Sequence, residues 1–187
     1  MAVLMVLSVV LAQGALAQSD GAQAEETPLE RALRKDPAGF QAMAEDVIAG
    51  FGGPNGLTAA GIEEHVALER AFARAGAMRR LLAMDLDNDG AINRDELAVV
   101  QRAASASARG RLERQFKAAD ANGDTRVAMQ EIRAEGQAAA LRALTEGEAD
   151  SLRSLVLLDA DGDGALTPDE LRAAMTRLNL PVPDKAT

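Results

Sequence analysis

The spacing of apolar residues predicts that much of the chain forms amphipathic helices. After Asp36-Pro37, apolar side chains lie three and then four positions apart at Phe40, Met43 and Val47, and Ile48 follows directly. This period places them on one face of a helix. Thr27 and Asp36 are capping residues that are each followed by proline, and Glu30 completes a capping box with Thr27. We therefore expect helices to begin near Thr27 and Asp36.

Composition favours helices over strands. Alanine and leucine dominate the apolar residues, and the four aromatic residues are all phenylalanine. Alanine and leucine are strong helix formers, whereas β-branched and aromatic residues are enriched in strands. With 48% hydrophobic residues in a chain of 187, there is enough apolar material for a core. We expect an all-α protein.

The first residues form an apolar run, 1–17 (MAVLMVLSVVLAQGALA). It ends in Ala15-Leu16-Ala17, which matches the cleavage pattern of a signal peptide, so we expect cleavage after Ala17 and an exported protein, periplasmic or secreted. A membrane anchor is the alternative. However, Gln13-Gly14 interrupts a run shorter than the roughly 20 residues that span a bilayer, so we expect no stable membrane insertion. Residues 18–27 are small and polar and predict a flexible linker.

Three acidic segments of 12 residues repeat along the chain, at 85–96, 120–131 and 159–170, here called the first, second and third loops. They begin 35 and 39 residues apart, which indicates helix-loop-helix units in series. A related segment, 50–61 (GFGGPNGLTAAG), lies 35 residues before the first loop and has no acidic residue. Its Leu57-Thr58 aligns with Leu166-Thr167, so we expect a degenerate loop that pairs structurally but binds nothing.

The first loop, DLDNDGAINRDE, alternates acids with other residues. Calcium takes six to eight oxygens at about 2.3 to 2.6 Å, and alternating carboxylates in a short loop can converge on such an ion. Gly90 at position 6 allows a turn with positive φ. The expected ligands are the side chains of Asp85, Asp87, Asp89 and Glu96 and the carbonyl of Ala91. Asn93 would act through water and cap the next helix.

The other two loops differ in completeness. The third predicts the same ligand types at Asp159, Asp161, Asp163, Ala165 and Glu170. The second predicts ligands at Asp120, Asn122, Asp124, the Arg126 carbonyl and Glu131. However, Thr125 occupies its glycine position, where strain costs on the order of 1 to 2 kcal/mol. We expect two strong Ca²⁺ sites and a third, weaker one, which stays empty until the third loop fills if the two are coupled.

These loops resemble those of the EF-hand superfamily, and their spacing is similar to the calmodulin arrangement of two lobes. The resemblance implies EF-hand units paired in two lobes, in an exported protein of the bacterial type. The first lobe, 28–104, would pair the degenerate loop with the first loop. The second lobe, 105–180, would pair the second and third loops, and 181–187 would be a tail. Between the lobes, helix is favoured over 101–115, with a break expected at Gly110.

The net charge of −9 is explained by the loops themselves. They contain eleven candidate ligand carboxylates, and without them the charge would be +2. The acidity therefore does not by itself indicate a basic partner. Arginine-rich stretches alternate with alanine and acids and lack aromatic residues for base stacking, so we expect no nucleic-acid binding.

Two functions agree with these features. One is a calcium buffer or calcium-stabilised module, and the alternative is a sensor that exposes an apolar groove to a protein partner. The resemblance implies that Met84 and Met175 could line such a groove, whereas packing in the core is their alternative role. His65 is the only histidine, and no nucleophile or phosphate-binding loop is recognisable, so we do not expect an enzyme.

Overall fold

The computed structural model describes residues 27–177, so the predicted signal peptide, most of the predicted linker and the predicted tail lie outside the described residues. The helices are α1 Pro28–Lys35, α2 Pro37–Phe51, α3 Ala59–Leu82, α4 Arg94–Arg102, α5 Ala106–Ala119, α6 Met129–Ala143, α7 Glu146–Arg153 and α8 Pro168–Arg177, with a 3-10 helix Ser154–Leu158. The strands are β1 Leu57–Thr58, β2 Ala91–Ile92, β3 Val127–Ala128 and β4 Ala165–Leu166. The all-α prediction is confirmed.

The first two helices begin where the sequence predicts. The Thr27 hydroxyl accepts a hydrogen bond from the Glu30 N–H at 3.2 Å, and the Glu30 carboxylate accepts one from the Thr27 N–H at 2.8 Å. The Asp36 carboxylate accepts one from the Gly39 N–H at 2.9 Å. These short-range bonds satisfy backbone donors that a helix start otherwise leaves unpaired.

The degenerate loop lies between two helices. It connects α2 to α3 and contributes β1. Thr58 caps α3 through a hydrogen bond that its hydroxyl accepts from the Gly61 N–H at 3.2 Å. Thr167 caps α8 in the same way, because its hydroxyl accepts a bond from the Glu170 N–H. The alignment of Leu57-Thr58 with Leu166-Thr167 therefore has a structural counterpart.

The loops pair in a nested order, and the predicted pairing is wrong. Antiparallel β1 pairs with β4, with Leu57 opposite Leu166, so the degenerate loop pairs with the third loop. Antiparallel β2 pairs with β3, with Ile92 opposite Val127, so the first loop pairs with the second. Helix α3 connects the two pairs on one side and packs along α6, which leads back from the inner pair to the outer pair. Because α3 and α6 pack side by side, the loop before α3 and the loop that follows α7 come together, and their strands β1 and β4 pair.

Two apolar cores follow the nested pairs. The outer core is built from α1, α2, the start of α3 and the chain from α7 to α8, and it includes Leu57, Leu155 and Leu171. The inner core surrounds the first and second loops and includes Leu81 and Phe116. The division into lobes 28–104 and 105–180 therefore does not describe these cores, because each of its halves contributes to both.

The segment between the first and second loops also differs from expectation. Gly110 lies inside α5, and the chain turns instead between the end of α4 at Arg102 and the start of α5 at Ala106. Ser105 caps α5 by accepting a hydrogen bond from the Ala108 N–H at 3.3 Å. A serine cap stabilises a helix start by about 1 kcal/mol, which favours a new helix at Ala106, and the similar cost of an interior glycine is accommodated within α5. The segment joins two loops of the same pair.

No helix in residues 27–177 is both long enough and apolar enough to cross a membrane.

Candidate metal centres

The glutamate at position 12 closes each acidic loop in the same way. One carboxylate oxygen accepts hydrogen bonds from the N–H groups of positions 2 and 3, and the other accepts one from position 9. The donors are Leu86, Asp87 and Asn93 for Glu96, Ala121, Asn122 and Ala128 for Glu131, and Ala160, Asp161 and Thr167 for Glu170. Each glutamate therefore faces the start of its own loop.

The aspartate at position 1 is also held inward in each loop. Its Oδ2 accepts a hydrogen bond from the N–H of position 6. The distances are 3.1 Å from Gly90 to Asp85, 3.1 Å from Thr125 to Asp120 and 2.8 Å from Gly164 to Asp159. All three loops thus fold over their first carboxylate, including the second loop with its irregular residue.

Positions 4 and 6 of every acidic loop have positive φ. At position 6, φ is 84° for Gly90, 89° for Gly164 and 69° for Thr125, so threonine adopts the left-handed conformation that glycine favours. Position 4 was missed by the sequence interpretation. It is Asn88 in the first loop, with φ of 59°, and glycine in the other two. Asparagine tolerates this conformation better than most residues, and that preference was a usable signal.

Acidic side chains converge in two of the three loops. In the first loop, one carboxylate oxygen from each of Asp85, Asp87 and Asp89 lies within 4.8 Å of the others. In the third, Asp159, Asp161 and Glu170 form such a group. No third group of acids this close is found among residues 27–177. The predicted ligands Glu96 and Asp163 belong to their loops but not to these tight groups.

In the second loop, an unpaired carboxylate oxygen is the feature that fits a cation. Asp120 Oδ1 is shielded from solvent and has no hydrogen-bond partner. A buried carboxylate oxygen without a partner is costly, and a cation would satisfy it. The Asn122 amide donates to Asp124 Oδ2 at 2.9 Å, so these two predicted ligands contact each other. The donor set of the second loop therefore also fits a hard cation, with one carboxylate fewer.

Hydrogen bonds keep two position-12 glutamates ionised. For Glu170, the backbone N–H of Thr167, then that of Ala160, and the Thr167 hydroxyl lower the pKa to about 2. For Glu96, burial raises the pKa. Hydrogen bonds from the N–H groups of Asn93, Leu86 and Asp87 together lower it by more, so the pKa lies below its ordinary value. Both carboxylates are therefore charged at neutral pH.

One side chain crosses between paired loops. The Arg126 guanidinium donates to Asp89 Oδ2, with 2.7 Å from Nη2 to the oxygen. Arg126 was predicted to contribute only its carbonyl to the second loop, and its side chain reaches a predicted ligand of the first. Sequence spacing could not reveal this contact, because it depends on which loops pair.

The degenerate loop has no place for a position-12 carboxylate. The equivalent residue, Gly61, lies against the backbone of the helix before it, and a Cβ there would be 2.6 Å from the Phe51 carbonyl oxygen. Gly56 has φ of 122°, and a Cβ there would be 2.7 Å from the Leu166 carbonyl oxygen. Backbone atoms of Phe51 and Leu166 therefore occupy the space that side chains at these two positions would need.

Comparison with protein-family models gave two matches to the EF hand, at residues 79–100 and 152–175. They cover the first and third loops, which are the two that gather three acids. No curated protein and no solved structure matched the chain. The matches support the EF-hand superfamily for these two units and leave a calmodulin-like, exported bacterial type as a prediction.

Proposed function

We propose that this chain binds Ca²⁺ at its first and third loops and, more weakly, at its second, and that it acts as a calcium buffer or calcium-stabilised module. The observation that carries the proposal is the convergence of three carboxylate groups within 4.8 Å in each of two EF-hand loops. Such groups repel one another without a cation, and oxygen ligands are those that calcium prefers.

The residues proposed to hold the ions are those of the 12-residue pattern. They are Asp85, Asp87, Asp89, Ala91 and Glu96 in the first loop, Asp120, Asn122, Asp124, Arg126 and Glu131 in the second, and Asp159, Asp161, Asp163, Ala165 and Glu170 in the third. The ion would supply positive charge to a cluster of like charges. The chain's own part is to hold the oxygens in place through backbone hydrogen bonds from each loop.

Stabilisation of the fold is the expected consequence. A ligand that binds only the folded chain stabilises it by about 2.7 kcal/mol at a hundredfold excess over Kd. The chain has no cysteine and hence no disulfide, so bound metal is an available source of extra stability. Thermal unfolding should move to higher temperature in CaCl₂ than in chelator, and equal midpoints would contradict the proposal.

A calcium sensor is the second candidate, and one surface favours it. Leu68 and Phe72 lie one helical turn apart on α3 and are 45% and 67% exposed. An exposed apolar pair of this kind is a candidate contact for a protein partner. Met84 and Met175 are instead buried in the two cores, which agrees with their packing role. A calcium-dependent rise in the fluorescence of an apolar dye would support the sensor, and no change would reject it.

Export is proposed on the basis of the sequence alone. The apolar run 1–17 and its Ala15-Leu16-Ala17 ending support cleavage after Ala17. Intact-mass measurement of the protein recovered from outside the cytosol should give a chain that begins at Gln18. A chain retaining residues 1–17 in that fraction would contradict the cleavage.

The absence of enzymatic activity also stays a prediction.

A further inference from the structure

The inner pair of loops contains a contact that the outer pair lacks. Strands β2 and β3 hold the first and second loops side by side, with Ala91 opposite Ala128. Arg126 precedes β3 and reaches Asp89, whose Oδ2 it contacts at 2.7 Å. The other oxygen of that carboxylate, Oδ1, accepts a hydrogen bond from the Ala91 N–H at 2.9 Å. The two carboxylate oxygens of Asp89 therefore accept hydrogen bonds from two different loops.

We infer that the Arg126 side chain is an affinity-determining group of the first calcium site, and that it weakens calcium binding there. The inference rests on the proposed calcium function. Arg126 would then affect both inner sites in opposite directions. Its carbonyl is a proposed ligand of the second loop and favours binding there, whereas its guanidinium lowers the affinity of the first.

Two electrostatic effects have the same sign. Without an ion, the guanidinium offsets the repulsion among Asp85, Asp87 and Asp89, which lowers the free energy of the empty loop. With an ion, the guanidinium would stand roughly 5 Å from a divalent cation that shares Asp89. Repulsion between charges of two and one at that distance in water corresponds to about a tenfold loss of affinity. Both groups are partly exposed, so salt would reduce this effect.

The outer pair provides an internal comparison. The residue that precedes β1, and so corresponds to Arg126, is Gly56, which has no side chain. Asp163, the third-loop counterpart of Asp89, accepts a hydrogen bond from the Ala165 N–H at 2.8 Å but makes no ion pair within residues 27–177. The third loop therefore has the same local geometry without the opposing cation, and it should bind calcium more tightly than the first.

A site-resolved titration of the full chain tests the inference. The amides of Gly90, Thr125 and Gly164 each donate to the position-1 aspartate of one loop, so their ¹⁵N–¹H signals report the filling of the three loops separately. Calcium would be titrated into the wild type and into Arg126→Gln, which removes the charge, and Arg126→Lys, which retains it. Arg111→Gln is the matched control. It removes the same charge from an exposed arginine of α5, nine residues and about 13 Å before the second loop.

Arg126→Gln should raise the affinity reported by Gly90 three- to tenfold at low salt, and the gain should shrink in 0.5 M KCl. Arg111→Gln should stay within about twofold of the wild type, and Arg126→Lys, which retains the charge, should gain less affinity than Arg126→Gln. An unchanged or lower Gly90 affinity in Arg126→Gln overturns the inference while leaving the proposed calcium function intact. If Gly90 does not respond to calcium in the wild type, both fail at the first loop.

Discussion

Leu57 lies directly opposite Leu166 in a two-residue antiparallel sheet, which joins the first helix-loop-helix unit of the chain to the last. Both side chains are fully buried in the outer core. A loop without acidic residues is therefore the structural partner of one of the two most complete acidic loops. The degenerate loop thus contributes a strand and a buried side chain to the same core as the third loop.

Leu57→Ala should weaken calcium binding at the third loop but not at the first. Truncation of a buried leucine costs about 2 to 5 kcal/mol of stability, and the cavity would lie beneath β4. We expect the affinity reported by the Gly164 amide to fall at least threefold in a protein that remains folded. Ile92→Ala, in the other sheet, should show the reverse preference. A loss at Gly90 alone in Leu57→Ala would contradict the nested pairing.

Thr125→Gly should strengthen the second site by about tenfold. Thr125 has φ of 69°, a conformation that costs a residue with a side chain roughly 1 to 2 kcal/mol, so glycine should lower the cost of ordering the loop around the ion. Calorimetry or the amide signal of residue 125 would measure the change. Thr125→Ala is the control, because it removes the branch and keeps the Cβ. If glycine binds no better than threonine, strain does not limit this site.

Acid should destabilise the calcium-free protein partly through Glu170. The folded pKa is about 2 and lies below its ordinary value of 4.5, so the stabilisation is fully present above pH 4.5. It is lost as pH falls through 4.5 towards 2, because the unfolded chain then binds the proton more readily. Urea unfolding in chelator between pH 7 and 3 should show a smaller pH dependence in Glu170→Gln than in the wild type. Equal slopes would contradict this role.

A side chain at position 61 should destabilise the fold. Gly61→Ala would place its Cβ within 2.6 Å of the Phe51 carbonyl oxygen, so the two helices around the degenerate loop must separate. We expect a loss of about 1 to 3 kcal/mol, as for overpacked sites. Gly50→Ala is the matched control, since a Cβ there meets nothing within 4 Å and the helix should gain up to about 1 kcal/mol. Equal unfolding midpoints for the two variants would contradict the packing.

The features that sequence predicted correctly are local. The helix starts at Thr27 and Asp36 and the cap at Asn93 depend on hydrogen bonds between residues within three positions, so their signals are contiguous in the chain. The acidic loops are likewise 12-residue patterns. The pairing of loops is not local, because apolar strands at equivalent positions are chemically alike and any two could pair. The contact from Arg126 to Asp89 depends on that pairing and could not be found without it.

Calcium titration by calorimetry on four forms of the chain measures how many ions the acidic loops bind. The wild type should bind two or three ions, and Asp85→Ala and Asp159→Ala should each bind one fewer. Asp46→Ala should match the wild type, because Asp46 is exposed on α2 and lies outside every loop. An unchanged number of bound ions in either loop variant, or no binding by the wild type, would contradict the assignment of calcium to these loops.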